Sequence, residues 1–324
     1  MRHEGLITQS GAHIEVMIMD IDFSDMEEDA EAMMKRIDYT TTAGKVATQV
    51  RDDLRIKPGD TYSSIATSIE SKIKDLGCDF AFPLNISVND ITAHDTARIE
   101  DDRVVSSKDV VKIDIGVHKD GWIADGAITF DMSGEHGKLL DVGKLALENG
   151  VSILKAGKST TELGAEIEKT VKSRGFKLID NLNGHGLERY LIHTAPDVPN
   201  YPASGGYVLQ EGDIIAIEPF VTYPEKAGHV VEMDRCEIFS VGGFEPTRNT
   251  DARRMLNNIF KERKTLPFAE RHYAKNPIER LAMRELLRNG SLIAYPILRE
   301  KSGGVVTQFE HTVLIEKDSA KILF

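Results

Sequence analysis

Two apolar runs separated by one polar turn stand out between Val111 and Phe130. The runs are rich in Ile and Val, which favours β-strands, and the turn at His118 to Gly121 ends in Asp-Gly. An Asp before a Gly that tolerates positive φ predicts a type I turn with a bulge. Each strand carries one carboxylate at its centre, Asp114 and Asp125, and closing the hairpin brings the two opposite each other within one residue of register.

These two carboxylates pose an electrostatic problem. Side by side in an apolar sheet they repel each other, and each loses hydration worth several kcal/mol. A bound metal ion offsets both costs, whereas an exposed edge hairpin with two solvated Asp residues avoids them. The hairpin alone leaves both interpretations open.

The remaining periodicity predicts helices and strands around this hairpin. Six helical patterns run from Met26 to Leu54, Thr61 to Leu76, Lys138 to Leu154, Thr161 to Ser173, Asp251 to Lys264 and Ile278 to Asn289. Three extended stretches run from Phe80 to Val88, Leu292 to Glu300 and Val305 to Lys317. The last stretch carries Glu310 among apolar neighbours, so it repeats the problem of a carboxylate in an apolar strand.

The chain also resembles itself at a spacing of about 100 residues. RIKPGDTYSSIATSIESKIKDLGC aligns with ILKAGKSTTELGAEIEKTVKSRGF, so that Gly59 corresponds to Gly157, 98 positions later. DVVKIDIGV aligns with DIIAIEPFV at an offset of 104, which places Asp114 on Glu218. The alignment predicts two copies of a helix–helix–sheet unit in pseudo-twofold symmetry, since a solenoid needs more and shorter repeats. The junction of the halves is the expected place for chemistry.

Composition is typical of a soluble globular protein. The 324 residues suffice for one large domain or two smaller ones, with 41% apolar and 28% charged residues. Cys78 and Cys236 lie far apart and form no metal-ligand pattern, which favours buried packing in a reducing compartment. The N-terminus shows no leader pattern and no apolar run of membrane length, so a cytoplasmic location is expected.

Charge is unevenly distributed along the chain. Residues 251–301 hold 12 Lys and Arg against 6 Asp and Glu, a local charge of +6 in a protein of net charge −12. The acidic remainder argues against nucleic-acid binding by the whole protein. The basic segment, residues 251–301, is a candidate docking surface, and its alternative is a solvated helical pair.

Five candidate metal ligands stand in strand or glycine-rich contexts: Asp114, Asp125, His185, Glu218 and Glu310. Four carboxylates and one imidazole suit Mn, Co, Fe or Zn better than a thiophilic metal. Four negative charges neutralise two divalent cations, which fits a two-metal hydrolase. A structural carboxylate network is the alternative that the spacing leaves open.

Taken in order, these motifs resemble the methionine aminopeptidase family, and in detail its type 2 branch of archaea and eukaryotes. The most specific segments are AFPLN, KIDIGV, NLNGH, IEPF and QFEHT, within a similarity that runs from about Ala43 to the C-terminus. The resemblance implies a pita-bread fold, a pseudo-symmetric α/β architecture that agrees with the internal repeat. It implies a catalytic domain of residues 26–250 plus 302–324 and a helical type 2 insert at 251–301, after an extension (1–25) of unknown role.

The same resemblance implies roles for the candidate ligands. Asp114 would chelate one metal and Asp125 would bridge. His185 and Glu218 would hold the other metal, and Glu310 would bridge both. A water activated by two divalent ions (Co, Mn, Fe or Zn) would be the nucleophile, with Glu218 shuttling its proton to the leaving amine.

Four further residues match substrate-binding positions of the family. His193 would bind the scissile carbonyl or the oxyanion, and His94 would lie beside the substrate's first residue, where fumagillin-type inhibitors alkylate the family's histidine. Phe82 and Ile192 match apolar walls of a slot for the unbranched methionine side chain, although a Phe before Pro is equally typical of core. The implied substrates are nascent polypeptide N-termini in which methionine precedes a small residue.

The sequence departs from the family pattern at three places: Asp95-Thr96-Ala97 for the usual Tyr-Thr-Pro, Thr194-Ala195 for Ala-Gly, and Gly126 for Thr, Ser or Cys. The first two follow the candidate substrate histidines, and the third follows the second aspartate. None of the three removes a ligand, so the expected consequences concern pocket shape and turnover rate.

Two other functions occur among relatives of this fold. A proline-specific peptidase could share the ligands, but the type 2 insert speaks against it. A non-catalytic protein that binds nucleic acid, partner proteins or the ribosome typically loses ligands that this chain keeps. The basic segment still raises the hypothesis of ribosome docking near the nascent-chain exit through attraction to phosphates. The family is usually monomeric, and no membrane partner is expected.

Overall fold

The computed structural model describes residues 30–324, so the predicted extension over residues 1–25 and the first four residues of the helix predicted from Met26 lie outside the described residues. Within residues 30–324 the chain forms seven helices: α1 (Ala30–Asp52), α2 (Tyr62–Asp75), α3 (Gly137–Ser152), α4 (Thr160–Ser173), α5 (Thr250–Arg263), α6 (Glu270–Tyr273) and α7 (Pro277–Arg288). The same range forms sixteen strands: β1 (Asp79–Phe80), β2 (Asn85–Val88), β3 (Ile91–Ala93), β4 (Val110–Lys119), β5 (Trp122–Asp131), β6 (Lys177–Leu178), β7 (Asn183–Glu188), β8 (Leu191–Pro199), β9 (Ile214–Ile217), β10 (Phe220–Thr222), β11 (Val230–Val241), β12 (Phe268–Ala269), β13 (Leu292–Glu300), β14 (Val306–Gln308), β15 (His311–Ile315) and β16 (Ala320–Ile322).

All six predicted helices are confirmed, with each described boundary within two residues of its predicted position. Reciprocal side-chain capping marks where α4 and α7 begin. The Ser159 hydroxyl accepts from the Glu162 backbone N–H while the Glu162 carboxylate accepts from the Ser159 N–H, and Asn276 and Glu279 form the same reciprocal pair before α7. None of the helices in residues 30–324 combines the length and the hydrophobicity that a membrane span requires.

The predicted hairpin is confirmed as β4 and β5, which pair antiparallel along their whole length. Its turn is tighter than predicted, since only Asp120 and Gly121 lie between the strands and both have positive φ, 50° and 87°. This is the two-residue geometry of a type I′ turn, whose twist matches that of the flanking strands. The prediction of a type I turn with a bulge was therefore wrong.

The internal repeat is confirmed by matching hydrogen bonds in the two halves. The N–H of Gly59 donates to the carbonyl of Val105 at 2.7 Å, and the N–H of Gly157 donates to that of Leu209 at 2.8 Å. The donors are 98 residues apart and the acceptors 104 apart, the two offsets found in the sequence. Two isolated β-bridges follow the same offsets.

Each half packs one face of its sheet against two helices. In the first half β4 pairs with β1, β2 and β5, and its apolar side chains join α1 and α2 in one buried cluster. In the second half the order is β16-β15-β9-β7-β8, and β9 and β15 bury their apolar side chains with α3 and α4. In each half, the side of the sheet that points away from these helices is left for the candidate site.

Two predicted strands are each interrupted by a short gap in the structure. The stretch from Phe80 to Val88 forms β1 and β2, separated by a segment that includes Pro83, which has no N–H to donate. The stretch from Val305 to Lys317 forms β14 and β15, with Glu310 in the gap between them.

The basic segment packs its helices into an apolar cluster that also includes side chains of β11. Met255 and Ile259 from α5 pack with Met283 and Leu286 from α7, close to Phe268 on β12. Its last strand, β13, pairs with β11 and β3, which joins the segment to the rest of the protein through a four-stranded sheet.

Candidate metal centre

The first half contributes two carboxylates from the hairpin. Side chains alternate along a strand, so Ile113 faces the helices while Asp114 faces the opposite side. Asp114 pairs with Ala127 and Asp125 pairs with Gly116, which puts both carboxylates on one face. They are offset by two residues, not within the one residue expected, and such diagonal neighbours remain within reach of each other.

The second half contributes an imidazole and two longer carboxylates. His185 lies on β7, Glu218 between β9 and β10, and Glu310 between β14 and β15. The Nε2 atom of His185 lies 3.5 Å from Glu218 Oε1 and 3.8 Å from Asp125 Oδ2. One ligand atom from each of Asp125, His185 and Glu310 lies within 4.8 Å of the other two. The fold therefore brings candidate ligands from both halves together.

Gln308 connects three of the carboxylates and was not among the predicted site residues. Its side-chain amide donates to one oxygen of each at 3.4–3.5 Å: Asp114, Glu218 and Glu310. Thr312 was also missed, and its hydroxyl bonds to the backbone N–H and carbonyl of Asp125, both at 2.7 Å. Both residues lie two positions from Glu310, a spacing typical of side chains on one side of a strand, and that signal was available in the sequence.

Burial and mutual repulsion raise the proton affinity of the carboxylates. Burial raises the pKa of Asp114 to about 7. Burial, together with repulsion from Asp114 and Glu218, raises the pKa of Asp125 well above its ordinary value. The pKa values of Glu218 and Glu310 rise for the same reasons. Such a cluster is stabilised by either protons or cations.

The donor set fits a divalent cation. The Oδ1 atoms of Asp114 and Asp125 are buried without a hydrogen-bond partner among the described residues. His185 Nδ1 lies 3.1 Å from the carbonyl of Gly186, which can only accept, so Nδ1 carries the proton and Nε2 presents a lone pair to the carboxylates. Burial lowers the pKa of His185 to about 4, so the imidazole is neutral at neutral pH. Neutral imidazole with free carboxylate oxygens is a ligand set for Mn, Co, Fe or Zn.

Two other candidate histidines border this centre. The ring of His193, on β8, lies 4.4 Å from that of His185 at 83°. His94 follows β3, with Nδ1 3.2 Å from the carbonyl of Pro296 and its ring edge-on to Tyr295 at 5.9 Å. Burial is the largest cause that lowers the pKa of His193, and burial also lowers the pKa of His94. Both imidazoles are therefore neutral at neutral pH.

Phe82 and Ile192 lie in one apolar cluster, and each side chain is largely buried. The Phe82 ring covers Gly116, where an added Cβ would lie 2.2 Å from a ring carbon. A side chain at position 116 would lie on the same face of the sheet as Asp114, two residues earlier. The Phe82 ring therefore lies on the carboxylate side of the hairpin. Phe82 thus occupies a position from which it can line a pocket beside the carboxylates.

The departure at Gly126 has a packing reason. A Cβ at this position would lie 2.6 Å from the ring of Phe324 and 3.2 Å from the carbonyl oxygen of Glu310. The ring fills the space that a larger side chain would need, and Asp125 keeps its place. The carbonyl oxygen of Ala195 lies so close to Gly186 that a Cβ added to Gly186 would be 2.0 Å from this oxygen.

Comparison of the sequence and of the structure with known proteins identifies the family of this chain. Residues 38–317 match the model of metallopeptidase family M24. A methionine aminopeptidase of Pyrococcus horikoshii is 44% identical over 292 residues, which cover 88% of this chain and 98% of that relative. A methionine aminopeptidase structure from Thermotoga maritima superposes with a TM-score of 0.65 at 24% identity, covering 89% of this chain and 96% of that one. The structure of a thermophilic Arx1 superposes with a TM-score of 0.75 at 15% identity, over 91% of each chain. These structural likenesses confirm the expected pita-bread fold.

Proposed function

We propose that this chain, which belongs to metallopeptidase family M24, is an aminopeptidase that removes methionine from the N-terminus of polypeptides. The observation that carries the proposal is the convergence of four carboxylates and a neutral imidazole from both halves of the fold. The similarity to the methionine aminopeptidase of Pyrococcus horikoshii extends over 98% of that relative and supports N-terminal methionine as the residue removed.

The proposed cofactor is a pair of divalent ions, of Co, Mn, Fe or Zn. They would be held by the five predicted ligands: Asp114, Asp125, His185, Glu218 and Glu310. When bound, such ions supply Lewis-acid activation of a water and of the scissile carbonyl. The charge of four carboxylates supports two ions, because a single divalent cation would leave the buried set with a net charge of −2.

Glu218 is the proposed proton carrier. Its side chain is 13% exposed, whereas that of Asp125 is 5% exposed, so Glu218 lies nearer to the space that a substrate enters. Burial and the charge of Asp114 raise the pKa of Glu218, so this carboxylate takes up a proton more readily than an exposed glutamate and can return it to a leaving amine.

The two neutral histidines have complementary roles in this proposal. The Nδ1–H of His94 donates to the Pro296 carbonyl, so its Nε2 is left as an acceptor for an N–H of the substrate's first residue. His193, beside His185, can donate its one N–H to the scissile carbonyl oxygen or to the oxyanion that develops from it.

The proposed specificity is for methionine followed by a small residue. Phe82 and Ile192 would line the slot for the unbranched thioether, which fits between aromatic and aliphatic walls better than a β-branched side chain does. A bulky second residue would clash beside the carboxylates. We further assign the enzyme to the type 2 branch, with residues 251–301 as the helical insert that marks it.

The test is methionine release from Met-Ala-Ser, with Leu-Ala-Ser and Ala-Pro-Ala as comparison peptides, in chelator and then with Mn or Co. We expect metal-dependent cleavage of the methionyl peptide alone. Cleavage of Ala-Pro-Ala alone would instead assign the chain to the proline-specific enzymes. If the folded protein cleaves none of the peptides with either metal, the catalytic proposal is wrong and a binding role takes its place.

The proposed partners are nascent polypeptides and, through the basic segment, the ribosome. Arg254 and Arg288 expose about three-quarters of their side chains, 74% and 79%, on α5 and α7. Exposed guanidinium groups attract phosphates in a salt-dependent way. We expect cosedimentation with ribosomes at low salt that is weakened in R254E/R288E, whereas absence of cosedimentation at low salt would refute ribosome docking.

A monomer in the cytoplasm completes the proposal, because nascent chains emerge there and all five ligands come from one chain. Sedimentation of the purified protein tests the monomer, and fractionation of cells tests the location.

A further inference from the structure

The residues that follow His94 are held by side chains from two other parts of the chain. His94 has a φ of 63°, in the left-handed region. For a residue with a Cβ this conformation costs on the order of 1 kcal/mol and persists only where the surroundings fix it. The next three residues, 95–97, are also the place where the chain lacks the Tyr-Thr-Pro of the family that it resembles.

Arg103 holds this segment from one side. Its Nη1 donates to Asp95 Oδ2 at 2.7 Å, and its Nη2 donates to the Thr96 carbonyl at 2.7 Å. The guanidinium lies 4.3 Å from the ring centre of Tyr62 on α2. Asp95 is 4% exposed, and Arg98 Nη2 lies 3.7 Å from its Oδ1, so its charge has little access to water and depends on these two guanidinium groups.

Arg271, from α6 in the basic segment, holds the same residues from the other side. Its Nη1 donates to the Ala97 carbonyl at 2.8 Å and to the Thr96 hydroxyl at 2.9 Å. Its Nη2 pairs with the carboxylate of Glu70. Burial opposes ionisation of Glu70, but its bonds with His272 and Arg271 hold its pKa below the ordinary value, so the pair is charged at neutral pH.

Backbone contacts complete the arrangement. The Ile86 N–H donates to the Asp95 carbonyl at 2.7 Å, and the Thr96 hydroxyl donates to the Leu84 carbonyl at 2.6 Å. All three carbonyl groups of residues 95–97 are thus bonded, that of Thr96 to Arg103, seven residues later, and that of Ala97 to Arg271, 174 residues later. A rotation at residue 95 would break these bonds and turn the His94 imidazole away from Pro296.

We propose that Asp95, Arg103 and Arg271 are positioning residues that aim the His94 imidazole at the first residue of the substrate. The two guanidinium groups supply the rigidity that a proline would otherwise give to this segment. The proposal rests on the proposed function, since it assigns His94 to substrate binding. None of the three residues is required to touch the substrate.

The experiment compares steady-state constants for Met-Ala-Ser in wild type, D95N, R103Q and the double variant D95N/R103Q. We expect KM to rise about tenfold in D95N, with kcat changed less than about threefold, because binding is lost while the carboxylate centre stays intact. The double variant should be no worse than R103Q, since R103Q already removes the bond between Arg103 and Asp95 that D95N weakens. R103K should not restore KM, because one ammonium cannot span Asp95 Oδ2 and the Thr96 carbonyl.

D101N is the matched control. Asp101 binds the same guanidinium, through Nε at 2.9 Å and Nη2 at 2.7 Å, but makes no bond to residues 94–97 among the described contacts. It should lose thermal stability and keep the wild-type KM within about twofold. Equal changes of KM in D95N and D101N would reduce the effect to general destabilisation and overturn the proposal.

A second readout does not depend on turnover. Acylation of His94 by diethyl pyrocarbonate, mapped by peptide mass spectrometry, should be faster in D95N than in wild type and unchanged in D101N. An unchanged rate together with an unchanged KM in D95N contradicts the positioning role. Wild-type protein that releases no methionine would instead contradict the proposed function, and the acylation rates would then test the positioning of His94 on their own.

Discussion

The two halves of the fold present their carboxylates in different ways. In the first half Asp114 and Asp125 sit within the unbroken strands β4 and β5, and their short side chains reach the centre directly. In the second half Glu218 and Glu310 lie in gaps between strands, before Pro219 in one case. The longer Glu side chain and the relaxed strand geometry let these residues reach across to the hairpin. A repeated framework can therefore carry unequal ligands if one copy gives up strand continuity.

The largest effect expected from this comparison is that of Glu218→Gln. Activity on Met-Ala-Ser should fall by about 10²–10⁴, because the variant loses a proton carrier and a metal ligand together. In chelator the same variant should melt at a higher temperature than wild type, since one of four mutually repelling buried carboxylates is gone. A higher melting temperature in wild type, measured without metal, would contradict the repulsion described here.

Gln308→Leu tests the link between the halves. The amide bridges Asp114 of the first half to Glu218 and Glu310 of the second. Its loss should weaken Mn or Co binding about 10–100-fold, as for other groups that orient metal ligands. Titration calorimetry measures this, and an unchanged Kd would show that the halves hold their ligands independently.

A pair of glycines tests how rigid each half is. An added Cβ at Gly184 would lie 2.2 Å from the backbone carbonyl oxygen of Ala216, whereas one at Gly116 would meet the side-chain ring of Phe82 at 2.2 Å. Rings can shift more easily than a strand backbone, so G184A should cost more unfolding free energy than G116A, which should cost about 1–3 kcal/mol. Urea unfolding measures both, with G137A as the control because its Cβ would meet nothing within 4 Å. Equal costs would refute the contrast.

The smallest effect concerns the pH dependence that Asp101, in the first half, contributes to stability. Burial acts to raise the pKa of Asp101, but hydrogen bonds from Arg103 and from backbone N–H groups outweigh it and lower this pKa to about 2. In the unfolded chain its pKa is about 4, so unfolded protein binds more protons between these values and stability is lost as pH falls from about 4 to 2. Wild type should exceed D101N by about 1 kcal/mol at pH 6, and by less at pH 3.5. A difference independent of pH would contradict this origin.

Much of the site could be predicted because its signals are local. The ligand types, the hairpin and the helices follow from residue identity and short-range periodicity, and all six helices agree with the structure to within two residues. The offsets of 98 and 104 reappear as hydrogen bonds because each copy closes the same loop. The register of the hairpin was less predictable. The two-residue turn at Asp120 and Gly121 offsets the two hairpin aspartates by two residues, one more than expected.

What the sequence by itself determined is the kind of centre, since four carboxylates and an imidazole in apolar surroundings require a cation or protons whatever the fold. Only the tertiary structure decided which strands break, that Gln308 joins three carboxylates, and that Arg103 and Arg271 hold the residues after His94. The contacts of Gln308 and Arg271 join residues as far as 194 positions apart, as from Gln308 to Asp114, and no local pattern encodes these pairings. They arise because a buried donor or acceptor must find its partner wherever the packed chain brings one.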